Sequence, residues 1–290
     1  MEAAGSNPAI PTKAVPSIKN PQHANAEGFL FDNILLFSIM DNGFLLNFLE
    51  PDPSIAAFVE NIGMFHNTSA ETKEVVVLPD GRIDLFFWKN GGGPFQVLLI
   101  GLETAPEQRF VPPQTKAFVI SFKPLAVEYI LQTSIADILN SARELPIGYL
   151  GFDVDISGDL NAFYQKVSNK IKALLPVDID SRKLKLFDLI YSSNGELSVA
   201  ALADQVGWSS RQINRYFDQR FGLSLKSYCN ILRFRASLKH IANGKLFPEL
   251  DFTDQAYFIK EIKKFSGVIP KELSRNQNDR FLLLSLLKQQ

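Results

Sequence analysis

The stretch 197–222, LSVAALADQVGWSSRQINRYFDQRFG, admits few folds. Ser198 is placed to cap a helix whose Val199, Leu202, Ala203 and Val206 recur at i, i+3, i+4 and i+7, the spacing of one buried stripe. Gly207 follows, a residue able to take positive φ in a short turn. A second start signal comes at once: Ser209 and Gln212 stand at capping-box spacing, and Gly222 offers a stop. Between them Ile213, Tyr216, Phe217 and Phe221 make an apolar stripe, while Arg211, Asn214, Arg215 and Asp218 make a second stripe pointing elsewhere. Helix, glycine turn and helix with an Arg/Asn face compose a helix-turn-helix. An ordinary solvated face carries the same periodicity, so the pattern alone leaves both a solvated helix and a reading surface open.

Charge distribution bears on that choice. The 290-residue chain is nearly neutral, with 30 Lys+Arg against 31 Asp+Glu, yet residues 181–290 hold 18 basic and 10 acidic side chains, a net of +8. The remainder, 12 basic and 21 acidic, is net −9. A basic terminal segment is the footprint expected of phosphate contact, and its acidic companion is not expected to bind nucleic acid itself. In a helix-turn-helix the second helix enters the major groove. There Arg bonds guanine O6 and N7 in bidentate fashion, and Asn does the same for adenine N6 and N7.

A later segment, FTDQAYFIKEIKKFSGVIPKEL at 252–273, has Phe252, Asp254, Gln255, Phe258, Lys263, Gly267 and Pro270 in the spacing of a second such unit. It resembles the second recognition helix and exit turn of AraC/XylS-type transcription regulators. The first unit resembles the same family through Ser209, Ile213, Arg215, Phe217, Gly222, Leu225 and Tyr228. Together the two matches span about a hundred residues in the family's order. The resemblance implies that Arg211, Asn214 and Arg215 occupy base-reading positions of the first recognition helix, and Gln255, Tyr257 and Lys260 those of the second. It also implies that the segment SLKSYCNILRFRASLKHIAN, 224–243, is a linker helix setting the distance between them. Departures from the pattern are Asp251 for Gly, Ala256 for Ser and Leu273 for an aromatic. Only 244–252 is left for the helix that supports the second reader, with Pro248 in its midst. Proline cannot donate to a helix ladder and restricts the residue before it, so the second unit is expected to be abbreviated.

The other half reads differently. Residues 1–28 are rich in Ala, Asn and Pro without periodicity, and 1–42 is expected to be a disordered tail, with Met40 as the natural start. From about 44 to 122 the chain reads as strands, including two β-rich runs around the Pro79-Asp80-Gly81 turn, then FQVLLIGLE and KAFVISFKP. Short strands at such spacing suggest a small barrel or sandwich. Two segments, LAVEYILQTSIADILN (125–140) and DLNAFYQKVSNKIKALL (159–175), read as helices. The Leu-Pro-Asp-Gly turn and the later Phe-x-Pro resemble the cupin-like N-terminal domain of a subgroup of the same regulators. That resemblance implies a sensor or dimerisation role.

Several functions lack the residues they need. A cupin metal centre requires two or three imidazoles with a carboxylate, and only His66 lies in the strand region, so neither metal nor cofactor is expected. Gly91-Gly92-Gly93-Pro94 reads as a hairpin connection, since neither a helix start nor Lys-Ser/Thr follows it. DVDISGD at 153–159 imitates a calcium loop, but Tyr164 stands at its twelfth position where a bidentate Glu is needed. Cys229 is the sole cysteine and reads as a small buried apolar residue. The apolar run FLFDNILLFSIM, 29–40, is interrupted by Asp32 and Asn33 and is too short to span a bilayer. A cytosolic protein is expected, with no membrane partner.

The expectation is therefore an α+β chain. Its β-rich, cupin-like sensor or dimerisation domain with connecting helices occupies 43–180, and an all-α domain with two helix-turn-helix units occupies 181–290. Its function is expected to be sequence-specific reading of double-stranded DNA, not catalysis, as a homodimer that answers to a small-molecule effector. The alternative is a ligand-binding or enzymatic β-barrel carrying a vestigial DNA-binding domain.

Overall fold

The computed structural model describes residues 35–41, 43–247, 254–277 and 280–287. The described residues all belong to one compact unit. The expectations for 1–34 and for Pro248, Asp251 and Phe252 fall outside the described residues.

An antiparallel, β-rich first half is followed by helices, so the chain is α+β. Strands β1 (Leu35–Asp41), β2 (Phe44–Leu49), β3 (Val59–Asn67), β8 (Thr115–Phe122), β5 (Ile83–Asn90), β6 (Phe95–Ile100) and β9 (Ala142–Leu145) lie side by side in that order. A second, two-stranded sheet pairs β4 (Lys73–Val77) with β7 (Glu107–Val111). Leu35–Asp41, assigned from sequence to the tail, is thus a strand, paired antiparallel with β2. The Gly91–Pro94 segment closes the β5–β6 hairpin, with Lys89 opposite Phe95 and Gly91 at φ 47°. The Pro79-Asp80-Gly81 turn closes no hairpin. Its two runs, β4 and β5, belong to different sheets, and the turn carries the chain between them.

The expected helix at 125–140 is a correction. Only α1, Leu125–Tyr129, is α-helical, followed by a 3-10 turn at Ala136–Ile138. Gln132 at φ 50° and Asn140 at φ 55° break the path, and Ser134 and Ile135 turn away to bond the end of a later helix. Tertiary partners have overridden the local preference. Helix α2, Leu160–Leu174, forms as expected, its Asp159 cap accepting from the Ala162 amide at 2.8 Å.

The helical half comprises α3 (Ser181–Ser192), α4 (Val199–Val206), α5 (Ser210–Phe221), α6 (Leu225–Ala242), α7 (Gln255–Ser266), α8 (Pro270–Arg275) and α9 (Leu282–Leu287). Ser198 caps α4, Gly207 ends it at φ 67°, and Ser209 and Gln212 complete a reciprocal capping box on α5. One apolar cluster runs from the sheet through Phe187, Leu202, Ile213, Phe217 and Phe221 to Tyr228 and Leu232. A second joins Ile231, Phe234 and Leu238 of α6 to Phe258, Ile262 and Phe265 of α7, and takes in Phe281 and Leu284 of the C-terminal tail. It also includes Leu78, from the turn that follows β4. Phe281 and Leu284 of this leucine-rich segment are therefore used as core.

Candidate nucleic-acid interface

Helix α5 buries Ile213, Phe217 and Phe221, which leaves the other stripe facing outward. Arg211 and Arg215 are exposed, and neither has an ion-pair partner among the described residues. Asn214, half-buried between them, donates one Nδ2 hydrogen to the Ser210 carbonyl at 3.0 Å. Its second amide hydrogen and Oδ1 remain for a partner. Tyr216 on the next position is not part of this face. Its hydroxyl donates to Glu128 Oε2 at 3.1 Å, and burial together with that carboxylate raises its pKa, so it stays a neutral donor.

On α7, Asp254 caps the helix by accepting from the Tyr257 amide at 2.8 Å. Gln255 and Lys260 are exposed and Tyr257 is half-buried, while Phe258, Ile262 and Phe265 form the dry face. The structure brings together the three α5 residues on one helix face and the three α7 residues within the first half of their helix. Between the two sets runs α6, whose 18 residues correspond to about 27 Å of helix.

Three other basic groups near these helices are spent internally. Arg220 donates to the Thr133 carbonyl at 3.4 Å. Arg182 pairs with Asp180 at 2.8 Å and lies 5.3 Å from the Trp208 ring centroid. Lys183 pairs with Glu128 at 2.6 Å. Burial raises the Cys229 thiol to about 12, leaving it a packing group.

A cavity of about 870 Å³ opens between the ends of β2 and β3, the end of α3, and helices α6 and α9. Glu60, Asn61, Lys123, Arg235 and Lys239 contribute its polar wall, and Phe48 part of its apolar one. Burial opposes ionisation of Glu60, but the charges of Arg235, Arg82 and Lys123 hold its pKa down at about 2. Asn61 is 5% exposed, and its Oδ1 has no hydrogen-bond partner among the described residues. Among the described residues no group of three His, Cys, Asp or Glu is arranged to hold a metal ion. His66 stands opposite Lys116 on the neighbouring strand, and burial and that charge lower its pKa. No helix among the described residues is long and apolar enough to cross a membrane.

Sequence reasoning missed the residues that join the halves. Glu128, Lys183 and Leu78 carry no local signal of it, and Tyr228 and Gly81 belonged to separate patterns. Only the fold brings them together.

These features define an α+β protein whose helical half presents a helix face with two exposed arginines around a half-buried asparagine, next to a β-rich half with a cavity at their seam. Residues 47–144 match a family described as a domain of unknown function, DUF6597. No curated protein matches the chain. Among solved structures, ToxT from Vibrio cholerae O395 aligns at 12% identity over 82% of this chain and 99% of that one, with a TM-score of 0.39. The apo form of a ToxT point variant from Vibrio cholerae strain SCE256 aligns at 13% identity over 85% and 98%, with a TM-score of 0.36. Wild-type ToxT from that strain with an unsaturated fatty acid bound aligns at 15% identity over 80% and 95%, with a TM-score of 0.34.

Proposed function

We propose that the protein is a sequence-specific DNA-binding transcription regulator of the AraC type. Helices α4 and α5 are its first helix-turn-helix unit, and α7 is the recognition helix of an abbreviated second one. The observation that carries this reading is the outward Arg211/Asn214/Arg215 face, with both arginines exposed, on a capped helix behind a left-handed glycine turn, inside a segment of net charge +8. Arg211 and Arg215 supply bidentate donors for guanine, and Asn214 a donor and an acceptor for adenine. Gln255, Tyr257 and Lys260 supply the second contact set. The working boundary between the β-rich sensor and the DNA-binding half is 180/181. The protein acts in the cytoplasm as a homodimer, without catalysis, and the seam cavity is the seat of a small-molecule effector. Its volume of about 870 Å³ lies within the roughly 300–1,000 Å³ of ligand pockets.

The test is a mobility-shift titration of the full chain on duplexes selected from a random library. About five phosphate contacts give a slope of log affinity against log salt of about −4 to −5. Failure to enrich any sequence, or a slope near zero, defeats the reading. A pocket ligand bound without any duplex binding would favour a ligand-binding β protein with a vestigial helical domain.

A further inference from the structure

Two separate parts of the β-rich half grip the helical half, and each holds a different reading unit. The first is the broken segment 125–138. Glu128 accepts from Lys183 of α3 at 2.6 Å and from the Tyr216 hydroxyl of α5 at 3.1 Å. The Lys183 ammonium lies 5.2 Å from the centre of the Tyr216 ring and 5.7 Å from that of Tyr129. Just beyond, the Ser134 hydroxyl donates to the Gln219 carbonyl at 2.8 Å and the Ile135 amide to the Arg220 carbonyl at 3.0 Å. Carbonyls in the last turn of a helix have no partner within it. Here the β-rich half supplies donors to two of them. A Cβ on Gly222 would come within 2.7 Å of the Ala136 carbonyl oxygen, so this approach requires glycine.

The second grip is the turn after β4. Leu78, 2% exposed, sits in the apolar cluster that joins α6 to α7. Three residues on, the Gly81 carbonyl accepts from the Tyr228 hydroxyl of α6 at 3.0 Å. Gly81 has φ 78°, and a Cβ there would lie 3.0 Å from a Leu232 methyl. Beside it Arg235 of α6 pairs with Glu60. The Val76 amide donates to the Arg280 carbonyl at 2.6 Å, tying the chain ahead of α9 to β4.

We infer that Glu128 and the Leu78–Gly81 turn are positioning residues for DNA reading. Glu128 sets the pose of α5, and the turn sets the pose of α6 and α7. The spacing of the two readers is then fixed by the β-rich half and not by the linker helix alone. This rests on the DNA-reading proposal above for its meaning, but the two grips are independent of it. A rigid ruler has a recognisable consequence. One inserted base pair moves a half-site by roughly 3.4 Å and 35°, more than two independently clamped helices can follow.

Two measurements on the full chain decide it. In hydrogen exchange, Glu128→Ala should speed exchange in 210–221 about tenfold and leave 255–266 unchanged, while Gly81→Ala should speed it in 225–242 and 255–266 and spare 210–221. Should Gly81→Ala fail to accumulate, Tyr228→Phe removes the bond and keeps the ring. Equal acceleration of all helices by either variant, or none by both, overturns separate anchoring. On selected duplexes, one base pair inserted between the half-sites should weaken the unsubstituted chain at least tenfold. Both variants should flatten that dependence while staying within about threefold on the optimal site. An unsubstituted chain indifferent to the insertion, or a Glu128→Ala profile just as sharp, overturns the ruler. If no duplex is selected, the DNA reading fails, and the exchange pattern still decides whether two anchors exist.

Discussion

The Tyr228 hydroxyl donates to the Gly81 carbonyl at 3.0 Å, and the Tyr191 hydroxyl lies 2.9 Å from the Tyr228 oxygen. With Tyr228 committed to Gly81, Tyr191 is the donor between the two phenols. Tyr228 is fully buried and Tyr191 half-buried at the cavity wall, and burial raises both pKa values above that of an ordinary phenol, so the chain of bonds keeps its protons across the neutral range. The turn after β4, α6 and α3 are thereby joined by two hydrogen bonds.

Tyr228→Phe keeps the packing and strands two partners. The Gly81 carbonyl loses its donor at a buried position, and the half-buried Tyr191 loses its acceptor. The expected loss is about 1–3 kcal/mol of unfolding free energy, measured by urea denaturation at neutral pH. A change below about 0.3 kcal/mol would mean that solvent reaches the seam.

Glu60 makes stability depend on acid. Its pKa is about 2 in the folded protein against 4.5 ordinarily, because the charges of Arg235, Arg82 and Lys123 outweigh its burial. A lowered carboxylate contributes stability that is complete above the unfolded value and lost as pH falls through the folded one. The chain should therefore lose on the order of 1 kcal/mol per pH unit between about 4.5 and about 2. Glu60→Gln should be less stable at pH 6 and show a shallower decline across that window. Parallel curves for the two proteins would remove Glu60 from the acid limb.

How much of this was legible follows from where each determinant lies. Ser209, Gln212, Gly207 and Gly222 act within four residues of their partners, so both ends of α5 could be read directly. The segment 159–175 was likewise legible from its apolar spacing, and Asp159 caps it from three residues away. The segment 125–140 looked helical because its apolar residues have helical spacing, but its geometry is decided 85 residues away by the Gln219 carbonyl that Ser134 bonds. Local patterning cannot contain that. The same holds for β4, whose partner is β7 rather than the nearer β5, and for Leu78, whose apolar partners lie on α6, α7 and the tail. For the candidate interface, the outward placing of Arg211 and Arg215 was legible from periodicity. Tyr216 shared the apolar stripe, and its bond to Glu128 was not.

Glu103 makes the opposite pH prediction. Burial, aided by the charge of Asp80, raises its pKa from 4.5 to about 8, while Arg109 at 3.3 Å opposes the shift. A raised carboxyl binds its proton more tightly when folded, so stability falls as pH climbs from the unfolded value to the folded one. Asp84, raised by burial from 3.8 to about 6, adds the same sign in the lower part of the window. Glu103→Gln should remove the decline between pH 6 and 8, which is on the order of 1 kcal/mol per pH unit. Thermal melting at pH 6, 7 and 8 checks it. A melting temperature that falls equally in both proteins would assign the decline elsewhere.

The last prediction separates the two readers. Arg215 projects from a helix capped at both ends and gripped by Glu128 through its neighbour Tyr216, so its backbone is held in one pose and its planar guanidinium can pair with a base in bidentate fashion. Arg215→Ala should cost ~1–3 kcal/mol on the cognate duplex and relax selectivity at one base pair. Lys260 is exposed on α7, whose opposite face is packed on α6, and its flexible ammonium acts as a point charge. Lys260→Ala should weaken cognate and random duplexes alike and reduce the salt slope by about 1. Both variants are titrated on cognate, single-mismatch and random duplexes at several salt concentrations, with melting curves to confirm folding. If Lys260→Ala erased discrimination at one base pair while Arg215→Ala weakened every duplex equally, the base-reading and phosphate-binding roles would have to be exchanged between the two helices.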